Sequence, residues 1–150
     1  QLCFEFPWSA DDLRDALTQR HVIGSLVEKD DVVLGFLIYR YSEKELELLN
    51  LGVMPCVQRK GVGRKLIQHL VDFQAKRRKR RAFAVIRETN LDAQLFMKEM
   101  GFRATETLLD HFPDTPELAY VMERPIGGEG VQKREWVNRI AHLFQGAKHE

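Results

Sequence analysis

The residues best placed to do chemistry lie in one stretch, Leu51-Gly52-Val53-Met54-Pro55-Cys56-Val57-Gln58-Arg59-Lys60-Gly61-Val62-Gly63-Arg64-Lys65-Leu66. A proline ends an apolar segment, a basic loop follows, and two glycines open a run with helical spacing. Gly61 and Gly63 let the backbone come close to a ligand and take up conformations closed to other residues. Unpaired N–H groups at a helix start converge on an anion, and the helix dipole favours negative charge there. Arg59, Lys60 and Arg64 add positive charge around the same point. Elementary chemistry therefore predicts phosphate or diphosphate binding at a helix N-terminus. The stretch is not a P-loop, which needs G-x-x-x-x-G-K-[ST], nor the dinucleotide fingerprint, which needs three glycines. Two glycines in a basic loop often form only a helix entry, and on the fragment alone that plainer reading is preferred.

Other reactive residue types form no such pattern. The two cysteines, Cys3 and Cys56, are not a C-x-x-C pair. His21, His69, His111, His142 and His149 match no ligand spacing, so no metal is expected. The run Lys76-Arg77-Arg78-Lys79-Arg80-Arg81 offers phosphate-type electrostatics to RNA or an acidic partner. It equally fits a solvated helix end, where cations meet the negative pole of the dipole. No aromatic residue interleaves with it, so base stacking has no support. The helix-end reading is preferred, and nucleic acid is not an expected partner.

The elements that must hold the loop follow from periodicity. Ser9, then Asp11 and Asp12, then Leu13, Ala16 and Leu17 at helical spacing predict a capped amphipathic helix. Val22–Val27 and Val32–Tyr39 predict a hairpin turning at Lys29-Asp30-Asp31, and Glu45–Val53 a further strand that Pro55 prevents from continuing. In that strand, alternation puts Glu45, Glu47, Leu49 and Leu51 on one face and Leu46, Leu48 and Asn50 on the other. Leu66, Ile67, Leu70, Val71 and Phe73 mark one face of a helix from Gly63 to about Lys76. A strand over Ala82–Ile86, a helix over Leu91–Met100 closed by Gly101, and strands over 102–109 and 118–124 complete the domain. The expected architecture is α/β of the α+β kind, a mixed sheet with helices on its faces and not a doubly wound alternation. The domain is expected over 1–126, followed over 127–150 by the link Gly127-Gly128-Glu129-Gly130 and an amphipathic helix carrying Trp136, Val137, Ile140, Leu143 and Phe144.

Bulk properties agree with one globular domain. The 150 residues are 44% hydrophobic and 30% charged, and the net charge of +1 gives no reason to expect nucleic-acid or membrane binding. The longest apolar run, Val32 to Tyr39, is too short to span a bilayer, and no signal peptide precedes it. Low cysteine use fits a reducing compartment, so a cytoplasmic protein is expected.

Gln58-Arg59-Lys60-Gly61-Val62-Gly63 resembles the Q/R-x-x-G-x-G/A signature of the GNAT superfamily, and it directly follows a strand ending Leu-Gly-Val-x-Pro. Arg87-Glu88-Thr89-Asn90, followed by a helix ending in Gly101-Phe102, is similar to the family's N-x-x-A-x-x-[LF]-Y-x-x-x-G-F block. Phe6-Pro7-Trp8-Ser9 and Met122-Glu123-Arg124-Pro125-Ile126 resemble the RimI-like ribosomal-protein alanine acetyltransferases. The resemblance covers Phe6 to Ile126 and implies a GNAT fold that transfers an acetyl group from acetyl-CoA to a primary amine. It implies main-chain contacts from Leu51, Gly52 and Val53 to pantetheine, with the Val53 N–H polarising the thioester carbonyl. It also implies a diphosphate cradle from Gln58, Arg59, Lys60, Gly61, Val62, Gly63 and Arg64, and an Asn90 contact to the pantetheine side. The acceptor is then a peptide N-terminus or a small amine. The chain begins with Gln1 and is short before Phe6 for the family's usual first strand and helix. The resemblance therefore predicts that the tail helix, or the partner of a homodimer, covers what is left exposed.

Two positions depart from the pattern. RimI-like enzymes carry a glutamate base and a tyrosine acid where this sequence has Val85 and Met97, and neither side chain can move a proton. Elsewhere in the superfamily the base is a glutamate on the strand entering the loop, a place held here by Glu47. Glu47 is the candidate base, against the alternative of a solvated surface charge. His111 and Tyr120 are candidates for the acid, with the alternative of no acid at all, since a thiolate can depart into water. The competing function is a catalytically degenerate domain that binds acetyl-CoA for sensing or regulation.

Overall fold

The computed structural model describes residues 9–125. The opening Phe6-Pro7-Trp8, the domain boundary at 126, the Gly-rich link, the tail helix and its proposed covering or dimer role all lie outside the described residues.

Ser9 closes a reciprocal cap on the first helix. Its Oγ accepts the Asp12 N–H at 3.1 Å while its own N–H donates to Asp12 Oδ2 at 2.9 Å. These bonds to Ser9 lower the Asp12 carboxyl pKa, and such a cap stabilises a helix by about 1 kcal/mol. Helix α1 then runs Ala10–Thr18. The hairpin forms from β1 (Val22–Lys29) and β2 (Val32–Tyr41), with Asp30 and Asp31 at positive φ in its turn. β3 (Glu45–Val53) leads through a short 3-10 turn, Pro55–Val57, into α2 (Val62–Lys76). β4 (Arg81–Arg87), α3 (Leu91–Glu99), β5 (Arg103–Leu108) and β6 (Ala119–Pro125) complete the order. Gly101 follows α3 at φ +88°, a conformation that suits a residue without Cβ.

The six strands form one sheet in the order β1-β2-β3-β4-β6-β5. Every neighbouring pair is antiparallel except β3–β4, which α2 must cross over to join. Helices α2 and α3 cover one face of the sheet. Leu66, Ile67 and Leu70 of α2 and Ala93 and Met97 of α3 pack with Leu37, Tyr39, Leu46, Leu48, Leu51 and Val53 in a single core. Each fully buried aliphatic side chain contributes about 1.5–3 kcal/mol. Helix α1 lies on the opposite face, where Gly24 leaves room for the Leu17 side chain.

One expectation fails inside β3. Ile38 pairs with Asn50 but Tyr39 pairs with Leu48, so Leu49 is an extra residue, a β-bulge. The bulge resets the alternation. Leu46, Leu48, Leu51 and Val53 all enter the α2 core, while Asn50 shares a face with Ile38. Leu51 therefore does not share a face with Glu47, and Asn50 does not share one with Leu48. The core requires this, because strict alternation would carry Leu51 and Val53 away from α2.

Beside the bulge, β3 and β4 part. Their parallel pairing runs only from Glu45↔Arg81 to Leu48↔Ala84. β3 stays paired to β2 as far as Val53↔Gly35, and β4 to β6 as far as Arg87↔Ala119. Each strand thus keeps its outer neighbour while the two diverge into a fork.

Candidate functional site

The fork opens next to the start of α2. Gln58 Nε2 donates to the Val53 carbonyl at 3.3 Å, and Val57 N–H donates to Met54 O at 3.0 Å, folding the loop back on the strand end. Arg59 (φ +64°) and Gly61 (φ +85°) both take left-handed backbone, which turns the chain sharply into the helix. Gly61 is the N-cap and supplies no side-chain hydrogen bond, so the first-turn N–H groups of α2 remain available to a ligand. A Cβ at Gly61 would meet no atom within 4 Å, so the space beside it is open. Arg59, Lys60 and Arg64 are exposed around this opening, and Arg64 also reaches Glu99 at 3.5 Å. The donor set, all N–H and cationic, fits a diphosphate. Gly63 has a different task. A Cβ there would lie 3.3 Å from Phe96 Cζ, so Gly63 is where α2 closes on α3. Gly52 lies under the Phe36 ring, which a Cβ would overlap.

The proton-transfer candidates are spread out. Glu47 lies in the paired part of the fork, opposite Phe83, and Arg40 binds its Oε2. Phe83 and Val85 alternate onto the same face of β4, so Glu47 and Val85 are diagonal neighbours. Met97 is wholly buried in the core. His111 is exposed, with its ring edge-on to Phe112 at 4.9 Å. Tyr120 lies on the α3 side, lining a cavity of about 190 Å³ with Leu91, Leu95 and Phe102. Burial, reinforced by the charge of Glu88, pushes its hydroxyl pKa up, so it keeps its proton at neutral pH. Asn90 caps α3, its Oδ1 accepting the Ala93 N–H at 3.2 Å.

Sequence reasoning missed the residue that holds the 109–118 loop. Arg87, 8% exposed, donates to Asp114 at 3.0 Å and to Thr115 at 3.1 Å, and lies 3.5 Å from Glu117. Its guanidinium is 3.7 Å from the centroid of the Phe112 ring. Thr89 and Leu118 add further ties through Glu117 and Glu88. Asp114 is therefore committed to Arg87. The only advance signal was an arginine ending an apolar strand. The basic run is also partly spent on structure. Lys79 bonds the Ser42 and Glu43 carbonyls, Arg77 lies over Phe73, and Arg81 pairs with Glu45 and Glu123. Among the described residues, no three His, Cys, Asp or Glu side chains gather to hold a metal, and no helix is long and apolar enough to cross a membrane.

The sequence model of the Acetyltransferase (GNAT) family matches residues 1–102, more than half of the chain. The chain belongs to the GNAT family. The [ribosomal protein bS18]-alanine N-acetyltransferase of Escherichia coli (strain K12) is 29% identical over 128 residues, 84% of this chain and 86% of that protein. The crystal structure of the E. coli enzyme superposes with a TM-score of 0.72 at 26% identity, covering 87% of this chain and 84% of that one. A GNAT acetyltransferase from Elizabethkingia anophelis, solved with acetyl-CoA bound, shares the fold at a TM-score of 0.70 and 14% identity, covering 79% and 84%.

Proposed function

We propose that this GNAT protein transfers the acetyl group of acetyl-CoA to a primary amine, and specifically to a protein N-terminus. The carrying observation is the fork, whose β3 edge runs straight into an open, cation-lined helix N-terminus. The name of the E. coli relative, an alanine N-acetyltransferase acting on a ribosomal protein, favours a protein N-terminus over a small amine. Acetyl-CoA supplies a thioester whose carbonyl carbon the amine attacks and whose thiolate departs.

The chain's own groups do the rest. The free edge of Leu51, Gly52 and Val53 lies where an extended pantetheine arm would add as a strand, as peptides add to sheet edges elsewhere. The loop from Gln58 to Arg64 holds the diphosphate through main-chain N–H groups and the charges of Arg59, Lys60 and Arg64. Asn90 meets the pantetheine side. The Val53 N–H stabilises charge on the carbonyl oxygen. Glu47 takes the proton that the amine must lose, directly or through water, with Arg40 binding one oxygen and leaving Oε1 for the task. The departing thiolate leaves into water, since Met97 is buried and cannot donate.

The second reading, binding without turnover, is favoured by Val85 and Met97 alone. Calorimetric titration with acetyl-CoA, followed by detection of free CoA with peptides carrying different N-termini, separates the two. Binding with acceptor-dependent CoA release supports catalysis. Binding with no release from any peptide supports the degenerate domain, and no binding overturns both.

A further inference from the structure

Among the described residues three polar side chains are buried, and two of them are accounted for by partners. Gln74, 1% exposed, donates to the Arg124 carbonyl at 2.9 Å, and Arg87 holds the 109–118 loop. The third, Asn50, is 3% exposed, and its Oδ1 makes no hydrogen bond. Buried carboxamide oxygens are almost always paired, because leaving one unpaired costs stability that a leucine of similar volume would not. The position of Asn50 gives the reason. It follows the bulge in β3, where the strand leaves β4, and its side chain takes the Ile38 face, outside the α2 core.

We propose that Asn50 Oδ1 accepts an N–H of the acceptor amine, making Asn50 a specificity-determining residue of the acetyl-transfer site. The inference rests on the function proposed above. Three placements select the amine over the cofactor arm. The arm would run along the main-chain edge of Leu51–Val53, whereas the carboxamide belongs to a side chain on one face of the sheet. The anion loop opens at the N-terminus of α2, which packs on the other face. Glu47 and Val85 share the Asn50 face across the bulge, so one N–H of the amine can be held by Asn50 while another faces the base. A carboxamide oxygen accepts a hydrogen bond but is far too weakly basic to take the proton itself, so it orients the amine without competing with Glu47 for the transferred proton.

Asn50→Leu tests this, with three measurements on the whole chain: thermal stability, calorimetric affinity for acetyl-CoA, and steady-state kinetics with a short peptide bearing a free N-terminal alanine. The expected result is a melting temperature equal to or above the wild type, unchanged acetyl-CoA affinity, and a peptide KM raised about 10- to 100-fold, the span of a hydrogen bond to a charged group. Asn50→Ser, which leaves room for a bridging water, recovers part of the KM and serves if the leucine variant does not fold. A lowered melting temperature with unchanged KM assigns Asn50 to structure and overturns the proposal. Weakened acetyl-CoA binding with unchanged peptide KM assigns Oδ1 to the cofactor arm and also overturns it. If the wild type binds acetyl-CoA but acetylates no peptide, the underlying function fails separately. Peptide affinity in the presence of CoA then decides: tenfold weaker in Asn50→Leu supports the contact, and equal affinity overturns it.

Discussion

Replacing Gly61 separates what the anion loop does for the fold from what it does for a ligand. Gly61 has φ +85°, and no atom lies within 4 Å of where its Cβ would stand. Gly61→Ala therefore introduces no clash, only the left-handed backbone penalty of about 1–2 kcal/mol. For a domain of this size that lowers the melting temperature by roughly 2–8 °C. Gly61→Asn pays less, since asparagine tolerates this conformation better than alanine. On the proposed placement both side chains project into the space the diphosphate would take, so affinity falls by at least about tenfold, or ~1.4 kcal/mol, in both. The assay is a thermal shift with and without acetyl-CoA. Ligand at 100 times its Kd stabilises the wild type by about 2.7 kcal/mol, and each tenfold loss of affinity removes ~1.4 kcal/mol of that. Stability and ligand response must therefore diverge: Asn is the more stable variant, yet as poor a binder as Ala. A Gly61→Asn protein with the full wild-type shift would refute the placement of the diphosphate at this helix start.

Three other outcomes follow from the same geometry. Glu47→Gln should reduce turnover by about 10²–10⁴-fold with acetyl-CoA affinity unchanged, measured by CoA release against calorimetry; equal turnover would return Glu47 to the surface charges. Arg87→Met removes the cation that ties Asp114 and Glu117 to the strand end, while Glu117 keeps its bonds from Thr89 and Thr115, so the melting temperature should fall and proteolysis within 109–118 should speed up. Burial works to raise the Glu117 carboxyl pKa, but hydrogen bonds from Thr89 and Thr115 and the charge of Arg87 outweigh it, and the net shift is downward. A carboxyl depressed in the folded state adds stability above its unfolded pKa. That contribution is lost as pH falls below the unfolded value and down to the folded one, so acid unfolding should be less steep in Glu117→Gln.

What could be read from the residues was whatever depended on short spacing. The cap at Ser9, the hairpin around Asp30 and Asp31, the glycine-led start of α2 and the close of α3 at Gly101 are each set within a few residues, and each formed where expected. The strand carrying Glu47 was found, but its two faces were misassigned from Leu49 onward. A bulge has no signature in the run Leu48-Leu49-Asn50, because it exists only once Leu51 and Val53 compete to reach α2. The Arg87 clamp was missed for a related reason: its partners Asp114 and Thr115 lie 27 and 28 residues away.

The four-pair seam between β3 and β4 has a consequence for how the molecule holds together. Three strands hang from each side of it, every other junction in the sheet is antiparallel, and α2 bridges the two wings. A sheet joined this way is two cooperative units sharing a short hinge, and its weakest amide protection against exchange should fall along the diverging edges after Leu48 and Ala84. A ligand lying in the fork as an added strand would knit the wings together. Bound acetyl-CoA would then do more than raise the melting point: it would turn a loosely coupled pair of subdomains into a single unit that opens all at once.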